Sequence, residues 1–238
     1  KKGMAASTSP IASQVGIDIM KAGSNAMDAA VAMATVLPLV EPTGNGLGSD
    51  AFALVWSAKD KKLYGLDGSG VAPMALSADK VKEAGHTAMP KDGWIPTMVP
   101  GAPSAWAQLR RRFGTKSMAE LMAPAIGYAR EGFCVPVNVA KLWKEGAERF
   151  AAAAGKEPEV FAPWFDYFTK DGKPYAAGEV FASPAYAATL ESLAASDCES
   201  YYRGEIMKKI VEFSQKTGGY FAEGDFENYR AGWVEPIS

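Results

Sequence analysis

A glycine-rich turn stands on each side of a short predicted hairpin, and these two turns hold the residues of this chain best suited to meet a ligand. The first leads from Glu41-Pro42 through Gly44, Gly46 and Gly48 to Asp50. Its glycines either only connect a helix to a strand or present their N–H groups as the floor of a pocket, a nest that favours anions. The spacing is not G-x-G-x-x-G, and a strand follows in place of a helix, so a dinucleotide fingerprint fails on context. No lysine-plus-serine pair completes a phosphate-binding P-loop. The second turn, Asp67-Gly68-Ser69-Gly70, follows the hairpin with residues that tolerate unusual backbone angles.

The remaining chemistry-bearing side chains narrow the choice. His86 is the only histidine and lies in a polar segment, KEAGHTAMPKDG, so it reads as a surface residue. Ser-His-Asp or Cys-His catalysis would have to use it, and a zinc site with several histidines is excluded. Catalysis therefore needs a chemistry without histidine, or groups supplied from elsewhere. Cys134 and Cys198 are far apart, follow no metal spacing and read as buried free thiols. The basic run Arg110-Arg111-Arg112 reads as a solvated helix face. With 27 acidic residues against 25 basic ones, the net charge is −2, which sets nucleic-acid binding aside.

The 238 residues, 48% of them hydrophobic and 22% charged, have enough apolar material for a sizeable core. Residues 3–7 read as a strand. Ser9-Pro10 reads as a cap with proline at the first helical position, and Ile11, Val15, Ile19 and Ala22 recur at helical spacing up to Gly23. A second helix, rich in alanine, starts at Ser24 or Asn25, carries Asp28 in its first turn and stops at Pro38. Residues 51–56 and 63–66 form the hairpin around a polar turn at 59–62. Helices are predicted over 102–113, 117–131, 138–154, 184–195 and 204–217. Ser117 and Glu120 make a capping box for the second of these, and Pro124 kinks or divides it. Residues 155–184, rich in proline and aromatics, read as a long ordered loop. The last residues, 233–238, read as an extended strand. No apolar run reaches the roughly 18 residues of a membrane span. The opening KKGMAAS lacks the apolar core of a secretory signal. The expected compartment is cytoplasmic, or periplasmic or secreted where a leader has been removed.

Six motifs in order along the chain resemble the large subunit of the gamma-glutamyltranspeptidase family. The block Gly23-Ser24-Asn25-Ala26-Met27-Asp28-Ala29-Ala30-Val31-Ala32 matches its G-x-N-A-x-D-A-A-x-A pattern. The E-P-x-x-x-G-x-G loop at Glu41 to Gly48 and the following hairpin match as well. Val99-Pro100-Gly101 with Trp106 resembles the V-P-G helix entry, and Ala123-Pro124 with Ile126, Ala129 and Gly132 resembles the A-P-x-I-x-x-A-x-x-G helix. Tyr202-Arg203-Gly204, then Gly218-Gly219 with Asp225 and Tyr229, resemble the later F-Y-x-G and G-G…D-x-x-x-Y elements.

The resemblance implies an α/β fold, a four-layer αββα sandwich of the N-terminal-nucleophile hydrolase type. Residues 1–238 would supply its N-terminal portion as one domain, an incomplete large subunit. It implies a precursor that cleaves itself before a threonine, which then attacks a γ-glutamyl or related amide carbonyl with its own amine as base. The partner would be a small subunit carrying that threonine, and the substrate a small-molecule amide. Assembly beyond that heterodimer stays open. No catalytic residue is expected on this chain, and neither a metal nor an organic cofactor is implied. Glutamate-specific members read L-D-x-R-E-x-A-P at the second glycine-rich turn, where the arginine pairs with the α-carboxylate. This chain reads Leu66-Asp67-Gly68-Ser69-Gly70-Val71-Ala72-Pro73, with serine at the arginine position. That version resembles the branch that includes oxamate amidohydrolases, and one alternative function is an oxamate-type amidohydrolase acting on a small acid amide. The other alternative is a non-catalytic binding protein of the same fold. Ser69, with Gly68 and Gly70, is the implied substrate-binding turn. Gly46, Gly48 and Asp50 form the candidate pocket loop, with Asp50 placed to orient the partner's catalytic segment.

Overall fold

Short-range signals start most of the helices. The computed structural model describes residues 3–237. Helix α1 (Pro10–Lys21) begins where the Ser9 hydroxyl accepts the Ala12 N–H, and Gly23 turns the chain at φ +92°. Helix α2 (Ala26–Val40) carries a capping box between Asn25 and Asp28. It runs on through Pro38, which was expected to end it. The ring removes one bond near the end of the helix, while the following Leu39 and Val40 stay buried in the core. Residues 3–7 pair with no strand. They lie across α1, with Gly3 beside Met20 and Ala5 beside Gly16.

Strands β1 (Ala51–Ser57) and β2 (Lys62–Gly68) form the hairpin, with Ala51 opposite Gly68. The short helix α3 (Ala78–Glu83) follows, and then α4 (Ala102–Phe113) and α5 (Met118–Glu131). The predicted Ser117–Glu120 capping box starts α5, which continues unbroken past Pro124. Strand β3 (Phe133–Cys134) leads to α6 (Val137–Ala154).

The segment expected to be a long loop holds a helix, α7 (Pro158–Phe168), and a small ladder of β4 (Thr169–Lys170) with β5 (Lys173–Pro174). Its prolines concealed a helical period: Phe161, Trp164, Phe165 and Phe168 recur at the spacing of one helix face, and Pro158 takes a first-turn position where proline costs no hydrogen bond. Strand β6 (Val180–Phe181) pairs with β3. Helices α8 (Pro184–Ala195), α9 (Glu199–Arg203), α10 (Glu205–Lys216) and α11 (Glu223–Glu227) complete the helical part. The chain then returns as β7 (Gly232–Val234), antiparallel to β2. Residue 238 of the expected C-terminal strand lies outside the described residues.

The order in the main sheet is β1-β2-β7. One face packs inward: Ala51, Ala53 and Val55 lie against the core beside α4, and Leu66 is buried. Behind it α2, α5 and α8 stack in sequence, and α1 covers α2. This is an α/β arrangement with helices on one side of the sheet. The other face is bare and apolar, with Phe52, Leu54 and Trp56 68%, 71% and 63% exposed. Leu63 and Val234 lie beside them on the same face, because residues opposite one another in a ladder point the same way.

Two expectations about reactive or charged groups are corrected. Cys134 is exposed, at the edge of a two-residue strand, while Cys198 is buried and burial pushes its thiol pKa up. The three arginines at the end of α4 are not a free solvated face. Arg110 and Arg111 both pair with Asp197, and Arg112 lies between the rings of Tyr64 and Trp233 at 4.2 and 4.4 Å. The run thus ties α4 to the α8–α9 junction and to β7.

Candidate functional site

The second glycine-rich turn leaves the sheet where β2 passes α4, and close packing dictates its glycines. A Cβ on Gly68 would lie 2.5 Å from the Ala51 carbonyl oxygen, and one on Gly101 would lie 1.8 Å from the Gly68 carbonyl oxygen. The first turn caps α4 from outside: the Ser49 carbonyl accepts the N–H groups of Gly101 and Ala102 at 3.0 and 2.9 Å. The two turns are joined by Asp50, whose Oδ1 accepts the Gly70 N–H at 2.7 Å.

Ser69 has little hydrogen-bonding capacity to spare. Its N–H and its hydroxyl both donate to Asp67 Oδ1 at 2.8 Å, and its carbonyl accepts the Tyr229 hydroxyl at 2.8 Å. The lone pairs of the hydroxyl oxygen and the second lone pair of the carbonyl oxygen remain for another molecule. The two bonds from Ser69 hold the Asp67 carboxyl below the usual carboxylate range. Burial, then the charges of Asp50 and Asp67, push the Tyr229 phenol up to about 12, so it remains a donor throughout the neutral range.

A cavity of about 600 Å³ opens beside the turn, bounded by Asp67, Ser69, Val71, Asn228, Tyr229 and Arg230. Asp225 on its wall is committed to the N–H groups of Met74 and Ala222. The bordering arginine, Arg230, pairs with Glu199 at 3.0 Å. The charge nearest Ser69 is therefore negative.

The structure brings Gly68, Ser69, Gly70 and Asp50 together. Neither Gly46 nor Gly48 lines the cavity beside Ser69. Gly46 borders a different hollow of about 590 Å³, walled by Trp143, Phe150, Trp164 and Phe168. A Cβ on Gly48 would meet nothing within 4 Å. His86 lines a third hollow with Trp94 and Tyr220. Among the described residues, no group of three or more His, Cys, Asp or Glu is placed to hold a metal ion, and no helix is long and apolar enough to cross a membrane. Residue-by-residue reading missed the role of Tyr229. Its place in the D-x-x-x-Y spacing was visible, but the carbonyl it reaches lies 160 residues earlier.

Residues 12–238 match the family model described as Gamma-glutamyltranspeptidase. The chain is 30% identical over 241 residues to the glutathione hydrolase proenzyme of Bacillus subtilis (strain 168), covering all of this chain and 40% of that protein. It is 32% identical over 238 residues to the glutathione hydrolase-like YwrD proenzyme of the same organism, covering 100% of this chain and 43% of that one. Among solved structures, cephalosporin acylase from Bacillus halodurans superimposes with a TM-score of 0.91 at 49% identity, over 96% of this chain and 42% of that chain. Helicobacter pylori gamma-glutamyltranspeptidase superimposes with a TM-score of 0.89 at 28% identity, over 100% of this chain and 66% of that chain. The chain thus spans about two fifths of the length of these curated relatives, which are named as proenzymes. By the match along nearly its whole length, the chain belongs to the gamma-glutamyltranspeptidase family.

Proposed function

We propose that this chain is the large-subunit portion, one domain, of a self-processing amide hydrolase or acyl transferase whose nucleophilic threonine lies on a second polypeptide. The threonine hydroxyl attacks the amide carbonyl, its own amine takes the proton, and the leaving amine departs with a proton. Water or an acceptor amine then releases the acyl group from the threonine ester. The bare sheet face of Phe52, Leu54 and Trp56 is the surface on which the second polypeptide packs, completing the αββα sandwich. An exposed apolar patch of this kind marks an interaction surface. Asp67, opposite Gly232 at one end of that face, leads from it into the Ser69 turn.

Gly68, Ser69 and Gly70 form the acyl-binding turn, with Asp50 as its brace. The observation that carries the substrate reading is that the Ser69 hydroxyl donates to Asp67. A serine in that state accepts a hydrogen bond and cannot donate one to a carboxylate. With Asp67 and Asp50 beside it, the turn favours an acyl group whose α-position bears no free carboxylate. The 49% identity to a cephalosporin acylase, against 28% to a gamma-glutamyltranspeptidase, supports an acyl group other than γ-glutamyl.

The test is hydrolysis of three p-nitroanilides, γ-glutamyl, glutaryl and 4-aminobutyryl, by the full-length processed protein. The 4-aminobutyryl amide is expected to be turned over at least as efficiently as the γ-glutamyl amide. Ser69→Arg is expected to raise kcat/KM for the γ-glutamyl amide about tenfold, the lower end of what a hydrogen bond to a charged group is worth. A tenfold or larger preference for the γ-glutamyl amide in the unmodified protein would overturn the acyl-group reading. A purified protein that stays one polypeptide, with no threonine-led partner by intact mass, would overturn the catalytic one.

A further inference from the structure

We infer that Tyr229 is a positioning residue for the acyl-binding turn and acts through the Ser69 carbonyl. The inference rests on the reading of residues 67–70 given above. The turn continues past the last residue of β2, and four separate contacts hold it. Two are local, the Ser69 N–H and hydroxyl on Asp67. One comes from the first glycine-rich loop, Asp50 on the Gly70 N–H, and one from Tyr229. Just beyond them the Val71 carbonyl accepts the Val99 N–H at 2.9 Å. The Tyr229 bond holds the carbonyl end of the peptide between Ser69 and Gly70 and the Asp50 bond holds its N–H end, so the two together set its plane. With that peptide fixed, the Ser69 Cα is held with it, and the Asp67 bond then orients the hydroxyl and its free lone pairs.

Tyr229 is itself held firmly. Its ring stacks on Tyr202 at 5.6 Å and 27°. The Tyr202 hydroxyl donates to the Pro100 carbonyl at 2.7 Å and accepts the Ser104 N–H at 3.1 Å. Behind the backbone of Tyr229, Arg203 donates to its carbonyl and to that of Glu227. Arg203 pairs with Glu199, which also pairs with Arg111 and Arg230. A phenol anchored at both ring and backbone places its hydroxyl with little freedom. Placement within tenths of an ångström is what a binding contact requires of the residues behind it. Among the described residues, no other polar group donates to the Ser69 carbonyl.

The experiment uses the full-length processed protein with Ser69→Ala, Tyr229→Phe and the double variant, and 4-aminobutyryl p-nitroanilide as probe. Tyr229→Phe keeps the ring and its stacking and removes one hydrogen bond. It is expected to raise KM about fivefold, the worth of one neutral hydrogen bond, with kcat per titrated threonine within about twofold. In the Ser69→Ala background the same change is expected to add less than about twofold, because the contact it positions is gone. A Ser69→Ala variant with raised KM beside a Tyr229→Phe variant with unchanged KM overturns this inference alone. An unchanged KM in Ser69→Ala overturns the reading of the turn, and this inference with it. A Tyr229→Phe protein that fails to process, or melts earlier while its KM is unchanged, overturns the inference in favour of a purely structural tyrosine.

Discussion

At the scale of single residues, the candidate site is defined by what each group has already been used for. On the resemblance to the family motif, Ser69 stands at the arginine position of glutamate-specific members, yet the difference is larger than the loss of a charge. Its proton is spent on Asp67 and its carbonyl on Tyr229, so a neutral donor has become an acceptor. Gly70 is held as tightly. A Cβ there would lie 2.2 Å from the Val99 carbonyl oxygen and 2.9 Å from the Met98 Cβ, both on a chain segment pinned against the turn. Gly70→Ala is therefore expected to destabilise the protein by about 2 kcal/mol, the usual cost of forcing a methyl group into a packed site. Its urea midpoint should fall with an unchanged m-value. A midpoint equal to that of the unmodified protein would show that the loop yields, and that Gly70 is a matter of turn geometry alone.

At the scale of elements, caps do more than start helices. The sequence places Asp28 in the first turn of α2, where a carboxylate favours the amino end. It is fully buried, and besides its capping bond to the Asn25 N–H it accepts the N–H groups of Thr115 and Lys116 and the Thr115 hydroxyl. Asn25 adds a bond from its side chain to the Phe113 carbonyl at 2.7 Å. One N-terminus thus gathers the α4–α5 junction. Asp28→Ala would leave those donors buried without a partner, at an expected cost of about 3 kcal/mol. Asp28→Asn, which keeps an acceptor, should lose clearly less. Thermal or urea unfolding of the pair separates the two, and equal losses would mean that the carboxylate charge, not its geometry, is what the junction uses.

At the scale of the whole molecule, the sheet is finished on one side only. Helices cover Ala51, Ala53 and Val55, and Phe52, Leu54 and Trp56 face outward. On the proposed reading, this face receives the threonine-bearing half and brings it to the end of the sheet where Asp67 and Ser69 stand. Leu54→Lys in the full-length protein is expected to leave the helical content of this part unchanged and to reduce the yield of processed two-chain protein severalfold. A buried leucine contributes about 2 kcal/mol, and an uncompensated charge costs more. Two-chain yield measured by intact mass, at unchanged far-ultraviolet dichroism, checks it; an undiminished yield would mean that the partner docks elsewhere.

Much of the helical part was legible in the sequence, because its causes are local. The Ser9-Pro10 start and the Ser117–Glu120 box involve neighbours within one or two turns, and those elements, like the helices predicted at α4 and α6, stand where the residues put them. The hairpin was legible for the same reason, from alternation around a polar turn. Local rules misled where a distant surface outweighed them. Pro38 does not stop α2, because burial of Leu39 and Val40 holds the last turn in place. The prolines of residues 155–184 hid a helix that becomes stable by laying its aromatic face against α6. The arginine run needed Asp197, Tyr64 and Trp233 before it meant anything other than solubility. The sequence by itself determined the family, through six motifs in order, and the residue type at the proposed acyl-binding turn. Only the tertiary structure decided which atoms of that turn are free. Its contacts reach Asp50 across 20 residues and Tyr229 across 160, and no short-range pattern encodes a hydrogen bond between groups so far apart in the chain.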